Sequence, residues 1–214
     1  MILCAALLFD MDGLMVDSEP LWFEVERAFA RARGGDFTPE LARACVGRGL
    51  ANTLEVMHRT FDFPVDPARD AADIHARFVA RVGELQLKPG FLELFEEAGA
   101  RSVPRALASS SSRGIVVATL DRFGLRPRFE AVVTGDDVPH PKPAPDIFLE
   151  AARRLQAEPA GCVVLEDSPS GARAARAAGM AVIAVPEVHR GVFDAPADAV
   201  VTDLYAARTL LSFV

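Results

Sequence analysis

An apolar run that breaks into two carboxylates constrains the fold of this chain more than any other stretch. Residues 2–9 are almost all apolar, and Asp10-Met11-Asp12-Gly13 follows at once. A short apolar run that ends in a turn signal predicts a strand buried on both faces, as in a parallel sheet. Ligands bind beyond the carboxyl ends of such strands. Asp10 and Asp12 therefore stand where a binding site is expected.

On an extended segment Asp10 and Asp12 point the same way, and their negative charges repel. A bound cation relieves that repulsion, and so does a proton held by one of the two carboxyls. Oxygen ligands with no Cys or His nearby suit Mg²⁺. A carboxyl pair with separated pKa values supplies one nucleophile and one acid. The alternative is a strand that ends in a plain polar loop, because Asp and Gly are common turn residues.

The order of helical and strand patterns predicts an α/β fold with an insertion. Residues 20–86 show only helical patterns, whereas short strands and helices alternate from residue 91 onward. Alternating βαβ units imply a parallel sheet with helices on both faces. We expect a Rossmann-like parallel sheet core, residues 1–17 and 88–214, with an inserted α-helical cap domain, residues 18–87. Two short linkers suit this cap to act as a lid over the sheet edge.

Two further predictions concern the ends of the chain. Residues 2–9 are predicted to form one strand of the main sheet, and residues 205–213 are predicted to form the last helix.

The composition limits the classes of binding partner and the cellular compartment that we expect for this chain. The chain has 214 residues, half of them hydrophobic, and a net charge of −7, which disfavours nucleic acid or an anionic membrane as partner. Cys4, Cys45 and Cys162 are widely spaced among apolar neighbours, which predicts buried free thiols in a reducing compartment. No apolar run is long enough to span a bilayer. We expect a cytoplasmic protein, with a monomer as the default for a moving lid.

Polar groups also follow later strands. Ser109 opens a serine run, Glu166 and Asp167 end another strand, and Lys142, one of only two lysines, stands in a Pro-rich loop. The carboxyl ends of neighbouring parallel strands meet at one edge of a sheet. These groups are therefore expected to converge on Asp10.

Two of these groups suit phosphate binding. The Ser109 hydroxyl and the backbone N–H groups of Ser110 and Ser111, at the start of a helix, can donate hydrogen bonds to phosphate oxygens. Lys142 can place a point positive charge on the phosphate. Taken singly, each group has a plain alternative, which is a polar loop for the serines and a solvated side chain for Lys142.

The acidic groups suit a cation. Glu166 and Asp167 can complete an Mg²⁺ site that Asp10 and the backbone carbonyl of Asp12 begin. The alternative for Glu166 and Asp167 is that they only favour the N-terminus of the following helix.

The segments DMDG, LASSSS, HPKPAPD and VLEDSPSG, in this order, resemble the motifs of the haloacid dehalogenase-like hydrolases. They look most like the branch of sugar-phosphate phosphatases and β-phosphoglucomutase that carries a helical cap, and the resemblance covers the whole chain. It implies that Asp10 is the nucleophile and Asp12 the general acid/base. It also implies that Ser109 and Lys142 hold the phosphate.

The same resemblance implies that Asp167, with Glu166 nearby, serves Mg²⁺. The implied function is Mg²⁺-dependent hydrolysis of a small phosphate monoester, a sugar or polyol phosphate, through an aspartyl-phosphate. The cap is then expected to set specificity. Its candidate contacts are Trp22, Arg48 and Asn52, for which helix packing or solvated surface is the alternative.

Related activities remain as alternatives. Mutases of this branch resemble the pattern but carry a His early in the cap helix and an Arg in the next cap loop. Trp22 and Leu50 stand at those places, with Arg48 two residues early, which disfavours a mutase. Phosphonate cleavage needs a cap Lys, and residues 20–87 contain none. Dehalogenases lack the second Asp of the first motif, so Asp12 argues against that activity.

Two other classes share part of the pattern. A non-catalytic receiver domain also accepts phosphate on Asp beside a hydroxyl and a Lys, but its Asp follows a later strand and it has no helical insertion. A nucleotide-binding module would need a Gly-rich fingerprint after the first strand, and none is present.

Overall fold

Short apolar segments form the strands of this chain, and amphipathic segments form its helices. The computed structural model describes residues 1–45, 49–64, 66–187 and 193–214. The strands are β1 (Ile2–Cys4), β2 (Ala6–Phe9), β3 (Arg105–Ala108), β4 (Ala131–Val133), β5 (Cys162–Glu166), β6 (Ala181–Ala184), β7 (Ala199–Val200) and β8 (Leu211–Phe213). The helices are α1 (Glu19–Arg31), α2 (Pro39–Cys45), α3 (Leu50–Phe61), α4 (Pro67–Ala80), α5 (Phe91–Ala100), α6 (Arg113–Arg122), α7 (Asp146–Leu155), α8 (Pro169–Ala177) and α9 (Leu204–Leu210).

Six strands form one parallel sheet in the order β4-β3-β2-β5-β6-β7. β2 lies in the middle, and its last residue, Phe9, is opposite Leu107 of β3 and Leu165 of β5. The carboxyl ends of these three strands are therefore side by side. This arrangement confirms the predicted α/β fold with a parallel sheet, and it brings three of the polar strand ends to one edge.

β2 is buried on both faces, as its unbroken apolar sequence predicts. Leu8 belongs to a core cluster with residues of α7 and α8, such as Phe148 and Ala175. Phe9 points to the opposite face, where its ring lies 5.4 Å from that of Phe91 and 6.0 Å from that of Phe95. Packing on both faces holds the C-terminal end of β2, and the carboxylates beyond it, in one position.

The two predictions for the ends of the chain are wrong. The apolar run 2–9 forms two strands, β1 and β2. Only β2 belongs to the main sheet, whereas β1 pairs with β8 in a separate two-stranded sheet. The last helix stops at Leu210, since residues 211–213 form β8. Leu3 is 67% exposed on β1, which shows that this run is not buried along its whole length.

The chain divides into two units: residues 1–17 with 86–214, and residues 18–85. Gln86 and Leu87, predicted as the end of the cap, belong to the first unit. The Asp17 N–H donates to the Gln86 carbonyl over 3.0 Å, and Leu87 forms an antiparallel bridge with Val16. This backbone pairing ties the returning chain to the first unit.

All regular secondary structure in the described residues of the second unit is helical, with loops between the helices. A buried carboxylate holds its helices together: Asp70 of α4 accepts hydrogen bonds from His58 of α3 over 2.9 Å and from Arg33 over 3.1 Å. Trp22 of α1 stacks on Phe78 of α4 with ring centroids 4.2 Å apart. The Arg33 and Trp22 contacts join α1 or the residues just after it to α4, which is distant in sequence, and a buried polar group satisfied in this way specifies one packing arrangement.

A partly buried acid in α1 makes the stability of the helical unit depend on pH. Burial raises the pKa of Glu26 from 4.5 to about 7. The folded state therefore binds this proton more tightly than the unfolded chain, and the free energy of unfolding falls as pH rises from 4.5 to about 7. We expect Glu26→Gln to stabilise the protein at pH 8 by about 1–3 kcal/mol and much less at pH 4.5. Thermal unfolding of this variant and of the exposed control Glu55→Gln at both pH values tests this, and a larger gain at pH 4.5 would contradict it.

The described residues contain no helix that combines the length and apolar character needed to cross a membrane. Cys4, Cys45 and Cys162 are buried and not in disulfides, as their apolar neighbours predict. Burial raises the pKa of the Cys4 thiol to about 12 and that of Cys162 to about 11. Both thiols are therefore unreactive packing residues.

Candidate active site

Asp10 and Lys142 form the centre of the site at the carboxyl edge of the sheet. The Asp10 N–H donates to the Leu165 carbonyl over 3.1 Å, which continues the pairing of β2 with β5 by one residue. Lys142 reaches Asp10 from the loop before α7, and its Nζ lies 2.5 Å from Asp10 Oδ1 and 3.1 Å from the Ala108 carbonyl at the end of β3. The two side chains are only 9% and 6% exposed. The predicted convergence of Lys142 on Asp10 is present.

Glu166 holds Lys142 from the other side. Its Oε1 accepts from Lys142 Nζ over 2.7 Å, and its Oε2 accepts from the Ser168 N–H over 2.8 Å and the Ser168 hydroxyl over 2.9 Å. A Cβ on Gly171 would overlap Glu166 Oε1, so glycine is needed there. Because both oxygens of Glu166 already accept from protein donors, this residue supports Lys142. Glu166 as a further metal ligand stays a prediction.

Asp12 faces the serine loop after β3. Its Oδ2 accepts from the Ser111 hydroxyl over 2.8 Å and lies 3.4 Å from the Ser109 hydroxyl. Ser109 is buried, and its oxygen accepts from the Ser111 N–H over 3.1 Å. Ser110 is exposed, and a Cβ on Gly135 would collide with its carbonyl. The loop is thus held between Asp12 and the turn after β4.

Asp167 is buried directly after β5. A Cβ on Gly13 would overlap Asp167 Oδ2, and the φ of Gly13 is +81°, so the turn behind Asp12 needs glycine for two reasons. Asp167 therefore lies against the backbone that follows Asp12.

Burial, more than the like charges around it, sets the electrostatics of the site. Burial raises the pKa of Asp10 to about 8, against the opposing charge of Lys142 and with the help of Glu166. Burial, with the charges of Glu166 and Asp10, raises the pKa of Asp167 well above its usual value. Burial alone would lower the pKa of Lys142, but the charges of Asp10 and Glu166 outweigh it and raise that pKa. Lys142 therefore stays protonated.

The donor set fits a divalent cation. The carboxylates of Asp10, Asp12, Glu166 and Asp167 interact with one another and with the single ammonium of Lys142, so negative charge is in excess. A cation bound among them lowers the pKa values of its carboxylates. Within the described ranges, no three Asp, Glu, His or Cys side chains form a preassembled cage. Mg²⁺ does not need one, since it is usually held by one or two carboxylates with water and substrate phosphate.

The other candidates are less closely tied to this centre. Asn52 lies in the first turn of α3, and its Oδ1 is buried without a hydrogen-bond partner among the described residues. Trp22 is engaged with Phe78 inside the helical unit, which supports the packing alternative for it. Arg48 lies outside the described residues. His140 is exposed, and its side chain pairs with Asp146.

Sequence reasoning missed two side chains of the site. The sequence pattern assigns no role at this site to the Ser111 hydroxyl or to the Ser168 side chain. Ser168 does cap α8, through a bond from the Gly171 N–H, but it also fixes Glu166. A run of four serines carries no signal that tells which hydroxyl meets Asp12.

Comparison with known proteins agrees with this geometry. Residues 7–185 match the family model of the haloacid dehalogenase-like hydrolases. A phosphorylated carbohydrates phosphatase of Thermotoga maritima is 33% identical over 176 residues, which are 82% of each chain. A crystal structure of CbbY from Rhodobacter sphaeroides in complex with phosphate has a TM-score of 0.84 at 30% identity and covers 95% of both chains.

One curated relative is a longer protein. A bifunctional riboflavin kinase/FMN phosphatase of Arabidopsis thaliana is 31% identical over 187 residues, and the match spans 87% of this chain but about half, 49%, of that protein. The family model matches most of the sequence, and the residues of the four motifs lie at one edge of the sheet. These two observations together establish the family of the chain. The chain belongs to the haloacid dehalogenase-like hydrolase family.

Proposed function

We propose that this chain is an Mg²⁺-dependent phosphatase that hydrolyses a small phosphate monoester, a sugar or polyol phosphate, through an aspartyl-phosphate. The contact that carries the proposal is that of Lys142 Nζ with Asp10 Oδ1, at 2.5 Å and nearly buried. A cation fixed beside a carboxylate lets an anionic phosphate approach an anionic nucleophile. The named activity of the Thermotoga maritima relative supports a phosphorylated carbohydrate as the substrate class.

In the first step an oxygen of the Asp10 carboxylate attacks phosphorus. The bond between phosphorus and the ester oxygen breaks, and Asp12 gives its proton to the departing alkoxide. The products are a free alcohol and a phosphoryl group on Asp10. The Ser109 hydroxyl, 3.4 Å from Asp12 Oδ2, and Lys142 Nζ, 2.5 Å from Asp10 Oδ1, are placed to hold the phosphoryl oxygens.

In the second step Asp12, now a carboxylate, takes a proton from water as the water oxygen attacks phosphorus. The bond from phosphorus to Asp10 breaks, and inorganic phosphate leaves. Asp10, Asp167 and the backbone carbonyl of Asp12 would hold Mg²⁺, with Glu166 behind Lys142. When bound, Mg²⁺ offsets the negative charge of the phosphate and of the carboxylates around it.

We further propose that residues 18–85 act as a lid that covers the leaving group and sets specificity. Trp22, Arg48 and Asn52 stay candidates for substrate contact. We also propose a monomer in the cytoplasm. The net charge of −7 disfavours nucleic acid or an anionic membrane as partner.

Phosphate release from purified protein tests this function. The assay measures inorganic phosphate from 4-nitrophenyl phosphate and from a panel of phosphorylated hexoses, hexitols and nucleotides. We expect release with Mg²⁺, a fall of at least about 10²-fold after EDTA treatment, and recovery when Mg²⁺ is restored.

The same assay distinguishes the alternatives. A mutase converts β-glucose 1-phosphate to glucose 6-phosphate and releases little phosphate. A phospho-acceptor domain takes up one phosphoryl group and stops. Full activity in EDTA would contradict the metal requirement, and no release from any ester would contradict the proposed function.

A further inference from the structure

Two serine hydroxyls face the same oxygen of Asp12, and their distances separate their roles. Ser111 Oγ lies 2.8 Å from Asp12 Oδ2, the usual length of a well-formed hydroxyl–oxygen hydrogen bond. Ser109 Oγ lies 3.4 Å from the same oxygen, at the weak limit for such a bond. Ser111 is therefore the nearer of the two serines to Asp12 Oδ2, although Ser111 and Asp12 are 99 positions apart in the chain.

The backbone around the serine loop fixes the Ser111 hydroxyl in this place. The Ser111 carbonyl accepts from the Gly135 N–H over 3.0 Å, and the Ser111 N–H donates to Ser109 Oγ over 3.1 Å. The first residue of α6 is held in place as well, because the Arg113 N–H donates a hydrogen bond to the Asp136 carboxylate over 2.8 Å. Ser111 is thus anchored on both sides before any substrate binds.

We propose that Ser111 is a positioning residue for Asp12: its hydroxyl occupies Oδ2, so that the proton given to the leaving group is carried on Oδ1. This inference rests on the proposed function. A carboxylic acid has one proton, and an oxygen that already accepts a short hydrogen bond is the poorer place for it. Ser109 is then free to donate to the phosphoryl group.

The consequence lies in the bond-breaking step. As the ester bond to phosphorus breaks, the electron pair goes to the leaving oxygen, and the proton on Asp12 Oδ1 neutralises it. Without Ser111 the Asp12 carboxyl can turn, and the proton is less often aimed at the leaving oxygen. The penalty grows as the leaving group becomes more basic, because a stable phenolate needs little help and a basic one needs much.

A series of substituted phenyl phosphates of similar size measures this dependence. For Ser111→Ala we expect kcat/KM to fall less than about 3-fold with 4-nitrophenyl phosphate. With 4-methoxyphenyl phosphate the loss in kcat/KM should be at least about 10 times as large. The plot of log kcat/KM against leaving-group basicity therefore becomes steeper. Ser111→Thr keeps the hydroxyl and should restore the wild-type slope.

Ser112→Ala is the matched control, since the Ser112 side chain does not cap α6, and it should leave the slope unchanged. An equal loss across the series for Ser111→Ala overturns the inference, as does a steeper slope for Ser111→Thr with an unchanged melting temperature. A wild-type protein without activity on any ester would instead contradict the proposed function.

Discussion

Replacing Asp10 by Asn is expected to abolish turnover while the protein stays folded. An amide cannot act as the nucleophile, and removal of a catalytic nucleophile in hydrolases costs on the order of 10⁴-fold or more in kcat. The Asn carbonyl oxygen can still accept from Lys142 Nζ, which now lies 2.5 Å from Asp10 Oδ1. The substitution also removes one of the crowded negative charges of the site. The melting temperature should therefore be equal to that of the wild type or higher.

Initial rates with 4-nitrophenyl phosphate, together with thermal unfolding, test this result. Asp121→Asn is the matched control, because Asp121 is half exposed and pairs with Arg126 at the surface. It should keep activity within about twofold, as surface substitutions usually do. An Asp10→Asn variant with wild-type activity would show that another group attacks phosphorus and would end the proposed mechanism.

Replacing Lys142 by Met should give the second largest loss, in both activity and stability. Lys142 Nζ bonds Asp10 and Glu166 at once, and loss of one such charged donor costs on the order of 10²–10³ in kcat/KM. The two buried carboxylates also lose their counter-ion, which costs roughly 3 kcal/mol of unfolding free energy. Lys142→Arg should not restore activity, since a planar guanidinium does not replace a compact ammonium.

A double variant separates the two effects. Adding Glu166→Gln to Lys142→Met removes one uncompensated charge, so it should recover part of the stability but none of the activity. Lys88→Met is the control, because Lys88 is the other lysine and pairs with Glu187. Near wild-type kcat/KM in Lys142→Met would contradict the role of Lys142, and a double variant less stable than Lys142→Met would contradict its ion pairing with Glu166.

The order of elements and the identity of the central residues could be predicted from local sequence alone. β2 and β5 are short apolar runs with carboxylates directly after them, and hydrophobic periodicity together with Gly and Pro punctuation marks such elements without knowledge of the fold. A parallel sheet then brings successive strand ends to one edge. This is why Asp10 and Lys142 could be paired in advance across 132 residues.

The ends of the chain and the partners within the site depended on contacts between distant residues. β1 separates from β2 because it pairs with β8, some 200 residues away, and no local pattern encodes that pairing. Ser109 and Ser111 belong to the same run of serines, and the sequence does not distinguish their roles. In the structure the Ser111 hydroxyl lies 2.8 Å from Asp12 Oδ2, and the Ser109 hydroxyl lies 3.4 Å from it. Glu166 accepts from both Lys142 and Ser168, and these two partners lie 24 and 2 positions away in the chain. Side-chain chemistry names the groups that can react, and long-range packing assigns each of them its partner.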